Sequence, residues 1–162
     1  LLYDKVTNLC DRGMISEAKP LLDQLINVNP TVSDYWRVKG QIAEVEKRYE
    51  DAINDLINAL KWDPDNHFAL LMMGNVYARH KNDIDTALIF LNKAIELSPK
   101  DHLAINNVGA LLLQANKFEL AREYFNRALS IKPSFTKSIH GLGLVSEHLN
   151  DLSSAFEYYL SS

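Results

Sequence analysis

The sequence predicts an all-α protein built as a solenoid of antiparallel helix pairs. Three sets of residues recur along the chain at spacings of 34 or 35 residues. They are Pro30, Pro64, Pro99 and Pro133, then Gly40, Gly74, Gly109 and Gly143, and finally Ala18, Ala52, Ala87, Ala121 and Ala155. A fixed period of about 20–50 residues is typical of repeat proteins, in which each unit buries its apolar face against its neighbours.

The composition agrees with a folded helical chain. Of the 162 residues, 47% are hydrophobic and 23% are charged, which is typical of a globular domain rather than a disordered segment. Six glycines and five prolines are too few for a turn-rich β-sandwich. The formal net charge of −4 disfavours nucleic acid as the main partner, because proteins that bind it usually present a basic face.

Each unit is predicted to contain two helices joined by a short turn. In DYWRVKGQIAEVE, the apolar residues Trp36, Val38, Ile42 and Val45 recur at roughly helical spacing, and YEDAINDLINALKW repeats the pattern. The predicted array is single and contains five units, of which the first and last are incomplete. The units cover residues 1–32, 33–66, 67–101, 102–135 and 136–162.

The prolines end each second helix and precede residues that are predicted to cap the next first helix. The predicted caps are Ser33, Asp65, Asp101 and Ser134. The one extra residue of the third unit is expected in the segment RHKNDID, interpreted as a surface turn. Glycine inside a helix costs about 1 kcal/mol relative to alanine. Its recurrence in four first helices therefore indicates that the second helix of each pair approaches closely.

This pattern resembles the tetratricopeptide repeat, whose signature is W-x2-L-G-x2-Y, then A-x3-F, A and P over about 34 residues. The second unit keeps Trp36, Gly40, Ala52, Ala59 and Pro64, and the fourth keeps Gly109, Ala121, Phe125, Ala128 and Pro133. The first unit departs most, with Val6 in place of the glycine. The resemblance covers essentially the whole chain. It implies a right-handed superhelix whose first helices line a concave, peptide-binding groove.

By the same resemblance, residues near the second, fifth, ninth and twelfth positions of each unit face the groove. The candidate groove residues are Arg37, Gln41, Phe68, Leu71, Asn75, Leu103, Asn106, Asn107, Leu113 and His140. Amide side chains both donate and accept hydrogen bonds, so they suit a peptide backbone. Two alternatives are open: Leu103 and Leu113 pack between helices instead, and Asn75 and Asn106 are simply exposed to solvent.

Two comparisons with family members bear on the ligand. Asn107 is similar to the asparagines that line the repeat groove of O-linked N-acetylglucosamine transferase. The lysine, arginine and asparagine clamp that other members use for a terminal carboxylate is not matched, so binding of chaperone tails is disfavoured.

No cluster of residues predicts catalysis, a metal site or a cofactor. The sequence has no Gly-rich phosphate loop, no H-E-x-x-H and no cysteine pair with zinc spacing. Cys10 is interpreted as a buried small hydrophobe or, alternatively, a reactive thiol. Asp83 and Asp85 are assigned to a solvated loop. The predicted function is a non-enzymatic scaffold that binds a protein or peptide, with no membrane or nucleic-acid partner.

Two alternative functions are kept open. In the first alternative, the chain is the recruiting or regulatory arm of a larger enzyme. In the second, it self-associates as a homodimer through the open C-terminal helix that carries Tyr158, Tyr159 and Leu160. The single cysteine and the lack of a visible signal peptide lead us to expect a cytoplasmic location. Because the chain begins at Leu1 and stops within an amphipathic pattern, we expect it to be a piece of a longer protein.

Overall fold

The computed structural model describes residues 1–161, which form ten α-helices and one short π-helix and contain no β-strand. This confirms the predicted fold class of paired helices. The helices are α1 (Leu2–Asp11), α2 (Ile15–Val28), α3 (Ser33–Val45), α4 (Tyr49–Trp62), α5 (His67–Val76), the π-helix (Tyr77–Lys81), α6 (Ile84–Leu97), α7 (His102–Gln114), α8 (Phe118–Ile131), α9 (Thr136–His148) and α10 (Leu152–Ser161). None of these helices combines the length and apolar character needed to cross a membrane.

The chain divides into two compact units, an N-terminal unit (Leu1–Asn82) and a C-terminal unit (Asp83–Ser162). The division falls between the two helices of the third predicted repeat. Each unit contains its own helix pairs and its own buried residues. The organisation of the five repeats as a single array stays a prediction.

In the N-terminal unit, α1 pairs with α2 and α3 pairs with α4. Gly40 of α3 lies against α4, the second helix of its pair. A Cβ atom on Gly40 would lie 3.0 Å from Cγ of Leu56 and 3.2 Å from the backbone oxygen of Ala52. The expected close approach of the second helix is therefore confirmed at this glycine.

In the C-terminal unit, the ring of Phe125 on α8 fills the space between α7 and α9. Phe125 is 2% exposed. A Cβ atom on Gly109 would lie 2.9 Å from this ring, and one on Gly141 would lie 2.5 Å from it. Both first helices therefore need a residue without a side chain where they meet the aromatic ring.

The turn inside each repeat contains one residue with a positive φ angle. These residues are Gly13, Lys47, Asn82, Asn116 and Asn150, with φ between 51° and 73°. Glycine and asparagine adopt this conformation readily, whereas for other L-residues it costs roughly 1–2 kcal/mol. Lys47 is thus the one strained residue of the set.

The extra residue of the third repeat lies in a helix, so its assignment to a surface turn was wrong. Gly74 lies 34 residues after Gly40, but Asn82 lies 35 residues after Lys47, so the insertion falls between Gly74 and Asn82. The π-helix occupies this interval, and the Asn82 N–H donates to the carbonyl of Tyr77 five residues earlier. A π-turn is wider than an α-turn, so it takes up one residue without lengthening the loop.

Of the four predicted caps, one is confirmed. The Asp101 carboxylate accepts from two backbone N–H groups of α7 at 2.8 and 3.1 Å. Asn66 replaces Asp65 as the cap of α5, and Phe135 rather than Ser134 precedes α9. Ser33 lies inside α3, and its hydroxyl donates to the backbone oxygen of Ala59 at 2.8 Å, which ties α3 to the end of α4.

Asp85 lies in the first turn of α6, so its assignment to a solvated loop was wrong, whereas Asp83 lies in the loop before α6 and caps this helix. The Asp83 carboxylate accepts from the backbone N–H of Thr86 at 3.0 Å, and hydrogen bonding from the Thr86 side chain, together with this backbone hydrogen bond, lowers the pKa of Asp83. The Asp83 carboxylate therefore has a local structural role at the start of the C-terminal unit.

Candidate functional site

The first helices of successive repeats contact one another within each unit. In the N-terminal unit α3 contacts α5 more extensively than α2 contacts α4, and in the C-terminal unit α7 contacts α9 more extensively than α8 contacts α10. Within each unit, the first helices of neighbouring repeats therefore pack side by side. This arrangement supports the expectation that the first helices carry the candidate surface.

The candidates of the N-terminal unit lie on α3 and α5. Phe68 is 63% exposed, although a phenylalanine is usually buried. The other four, Arg37, Gln41, Leu71 and Asn75, are half-buried. An exposed aromatic ring beside partly covered polar side chains is the composition expected of a binding surface.

Arg37 is held by side chains from three helices. Its Nε donates to Asp34 Oδ1 at 2.8 Å, and its Nη2 donates to the Tyr3 hydroxyl at 3.1 Å. Its guanidinium carbon lies 5.8 Å from the centroid of the Phe68 ring. Asn66 also donates to Asp34 Oδ1, at 3.2 Å. The cation is therefore fixed in position next to the exposed ring.

The electrostatics of this cluster follow from partial burial and hydrogen bonding. Burial disfavours the charge on Asp34, but hydrogen bonds from Arg37 and Asn66 outweigh it, so the pKa of Asp34 is lowered. Burial likewise opposes the charge on Arg37, and the hydrogen bond to Asp34 outweighs it and raises the pKa of Arg37. Burial raises the pKa of Tyr3, so this hydroxyl stays neutral. The pair is ionised at neutral pH.

A cavity of about 200 Å³ lies between α1 and α3, beside this cluster. It is lined by Thr7, Cys10, Asp11, Arg37, Val38 and Gln41. Cys10 is half-buried, and burial together with the neighbouring Asp11 raises the pKa of its thiol. The reactive-thiol alternative is therefore disfavoured, because the thiolate is the nucleophile.

The sequence reasoning missed the part of this surface that lies on α1. Tyr3, Thr7 and Cys10 stand 34 residues before Arg37, Gln41 and Glu44. The repeat register identifies all three once it is extended backwards into the first unit. The first unit departs most from the repeat signature, so the signature alone does not mark these positions on α1.

In the C-terminal unit, Leu103 on α7 is 48% exposed, so its alternative assignment to the core is wrong. Asn107 and Leu113 are half-buried, and His140 on α9 is exposed. The His140 ring lies 5.6 Å from the ring of Tyr159. The role of these residues in a groove stays a prediction.

Asn106 is buried, so the alternative that it is simply exposed to solvent is wrong, whereas its contact with a ligand in a groove stays a prediction. It is 7% exposed, and its Oδ1 accepts a hydrogen bond of 2.9 Å from the hydroxyl of Ser138, which is 0% exposed. The amide thus joins α7 to α9 inside the C-terminal unit. A buried polar group needs such a partner, which accounts for Asn106 as a structural residue.

Among residues 1–161, no group of three or more histidine, cysteine or acidic side chains is placed to hold a metal ion. The N-terminal unit offers hydrogen bonding by Arg37 and Gln41 and apolar contact by Phe68, and the C-terminal unit offers apolar contact by Leu103.

Models of the tetratricopeptide repeat match residues 3–67, 48–102 and 103–135 of the chain. A curated relative, the RNA polymerase-associated protein CTR9 of Caenorhabditis elegans, is 26% identical over 131 residues. That match covers 70% of this chain and 11% of the relative, so the chain spans about a tenth of the relative's length.

Solved structures share the fold at lower identity. PilF of Pseudomonas aeruginosa has a TM-score of 0.90 at 21% identity, with 99% of this chain and 72% of PilF covered. MamA of Desulfovibrio magneticus RS-1 has a TM-score of 0.86 at 21% identity, with 99% and 90% covered. YrrB, described as a TPR protein with an unusual peptide-binding site, has a TM-score of 0.79 at 18% identity, with 99% and 82% covered.

Proposed function

Because this chain belongs to the tetratricopeptide repeat family, we propose that it is a non-enzymatic interaction module whose first helices bind a segment of a partner protein. One observation carries the proposal. Phe68 and Leu103 hold the same position in successive repeats, 35 residues apart, and are 63% and 48% exposed on first helices. Aromatic residues are enriched in protein interfaces, and side chains as exposed as these are available to contact a partner.

The two side chains can supply part of the affinity of such a complex. Fully burying a leucine or phenylalanine side chain contributes roughly 1.5–3 kcal/mol. A micromolar complex needs about 8 kcal/mol of binding free energy. The remainder would come from polar contacts, for which Arg37, Gln41 and Asn75 are the candidates. YrrB, which shares this fold, is described as having a peptide-binding site, and this likeness supports a peptide as the ligand.

A displayed library of random peptides, selected on the immobilised chain, tests this proposal. Phe68→Ala and Leu103→Ala remove the proposed anchors. Phe156→Ala and Leu120→Ala are matched controls, because these residues are 65% and 46% exposed but lie on the second helices α10 and α8. We expect selected peptides to lose about tenfold or more in affinity on the first two variants and to keep it on the controls. Equal losses on both pairs would overturn the proposal.

A second candidate function is self-association through α10. Leu152, Phe156 and Leu160 lie four residues apart on one face of this helix and are 72%, 65% and 73% exposed. We propose a homodimer through this face as the alternative. Sedimentation over a range of concentrations would show it, and Phe156→Glu would abolish it. A monomer at every concentration would exclude it.

A further inference from the structure

The cavity between α1 and α3 has hydrogen-bonding groups that the protein itself leaves unused. Of the Arg37 guanidinium, Nε and Nη2 each donate to a protein oxygen, whereas Nη1 makes no hydrogen bond within residues 1–161. The Arg37 side chain is only 16% exposed, so few water molecules reach it. A guanidinium has five N–H donors, and this one therefore offers donors to whatever enters the cavity.

Other residues that line the cavity offer acceptors. In the described part of the chain, Asp11 and Gln41 form neither a hydrogen bond nor an ion pair with another residue. The Thr7 hydroxyl already donates to the backbone oxygen of Asp4 at 3.0 Å, so its oxygen can act only as an acceptor. The cavity thus presents N–H donors from Arg37 and oxygen acceptors from Asp11 and Thr7, with the Gln41 amide able to do both.

The size of the cavity fits the end of a single side chain from a bound segment. Sites for small molecules and cofactors usually measure about 300–1,000 Å³. At about 200 Å³ this cavity is smaller, yet it holds the equivalent of roughly six or seven water molecules of about 30 Å³ each. This volume suits the end of a polar side chain that projects from a bound segment.

The charges around the cavity favour a neutral polar side chain over a charged one. The charge of Arg37 is already compensated by Asp34 at 2.8 Å, and Asp11 adds a further negative charge. An incoming carboxylate would therefore meet a net negative environment. An ammonium group would leave the Arg37 donors without an acceptor. A carboxamide is neutral, accepts through its C=O and donates through its NH₂.

We propose that this cavity receives the side-chain carboxamide of an asparagine or glutamine in the bound partner segment. The carbonyl oxygen accepts from the free N–H groups of Arg37, and the NH₂ group donates to Asp11 or Gln41. Because the Arg37 guanidinium lies 5.8 Å from the Phe68 ring centroid, an apolar residue of the same segment contacts Phe68 nearby. This inference rests on the proposed function, since it presupposes a segment bound along the first helices.

The random peptide library described above tests the inference at the level of sequence. We expect the selected peptides to share an asparagine or glutamine at one position, close to an apolar residue. In one such peptide, replacing the amide residue by leucine or by the corresponding acid should weaken binding about tenfold or more.

Two variants of the chain then test whether the preference for an amide side chain in the peptide depends on the cavity. Gln41→Leu should reduce the advantage of the amide peptide over its leucine analogue. Asp11→Asn removes the negative charge and should bring the affinities of the amide and acid peptides closer together. Glu17→Gln, an exposed position on α2, is the control that removes the same charge elsewhere and should leave the preference unchanged. Unchanged melting temperatures show that each variant is folded.

The outcomes separate the two proposals. Selected peptides that depend on Phe68 but carry no amide preference, or that prefer an acidic residue, overturn the carboxamide site and leave the proposed function standing. An amide preference that survives both Gln41→Leu and Asp11→Asn also overturns the site. A library that yields no binding peptide overturns both proposals.

Discussion

The buried pair of Asn106 and Ser138 makes a prediction that distinguishes a structural amide from a ligand-binding one. Ser138→Ala removes the hydroxyl that donates to Asn106 at 2.9 Å, at a place where the two residues are 0% and 7% exposed. A buried acceptor that loses its donor costs about 1–3 kcal/mol, and we expect the free energy of unfolding to fall by that amount.

A double-mutant cycle isolates the interaction. Asn106→Leu removes the acceptor but leaves a serine that can turn its hydroxyl to a carbonyl of its own helix, so we expect a smaller loss. With both groups replaced, no polar atom of the pair is stranded, and the double variant should lose about 1–2 kcal/mol less than the sum of the single variants. Urea denaturation followed by circular dichroism measures all four proteins, and equal slopes confirm that the same transition is compared.

The adjacent residue provides the control for function. Asn107→Ala changes a half-buried amide of the same helix, and we expect a loss of stability below that of Asn106→Ala. If Asn106→Ala kept its stability and instead weakened a selected peptide, Asn106 would be a ligand contact, and the structural explanation would be refuted.

Three further changes have defined outcomes. Gly109→Ala places a Cβ 2.9 Å from the Phe125 ring, and thermal or urea denaturation should show a loss of about 1–3 kcal/mol; no loss would mean that the helices can separate without cost. Lys47→Gly relieves a backbone with φ of 61° and should raise the free energy of unfolding by up to about 1 kcal/mol, with a fall counting against strain at that turn. Because the pKa of Asp34 is lowered, its stabilising effect is present above its unfolded pKa of about 3.9 and is lost as the pH falls through its folded pKa. Asp34→Asn should therefore flatten the decline of stability below about pH 4, and an unchanged pH profile would contradict the hydrogen bond from Arg37.

The repeat register was predictable because it depends on packing that recurs in every unit. Gly40 and Gly109 both lie where a Cβ would crowd the second helix of the pair. Because these pairs need a small residue at this contact, glycine recurs at a fixed spacing, and the repeat can be recognised from a single sequence. The same register would also have found Tyr3 and Thr7.

Features that occur once were not predictable in this way. A one-residue insertion has the same sequence signature whether it lengthens a loop or widens a helix into the π-helix Tyr77–Lys81. The burial of Asn106 depends on Ser138, 32 residues later, and on how closely α7 and α9 pack. The charge environment of Arg37 likewise depends on Tyr3, which comes from the first repeat, and on Asn66, which lies at the far end of its own repeat.

The central claim, that the first helices bind the partner segment, is tested most directly by mapping a library-selected peptide onto the isotope-labelled chain by NMR. We predict that the amide signals that shift on binding belong mainly to α3, α5 and α7, and that Phe68→Ala abolishes these shifts while Phe156→Ala preserves them. Shifts concentrated on the second helices α8 and α10, unchanged by Phe68→Ala, would contradict the claim.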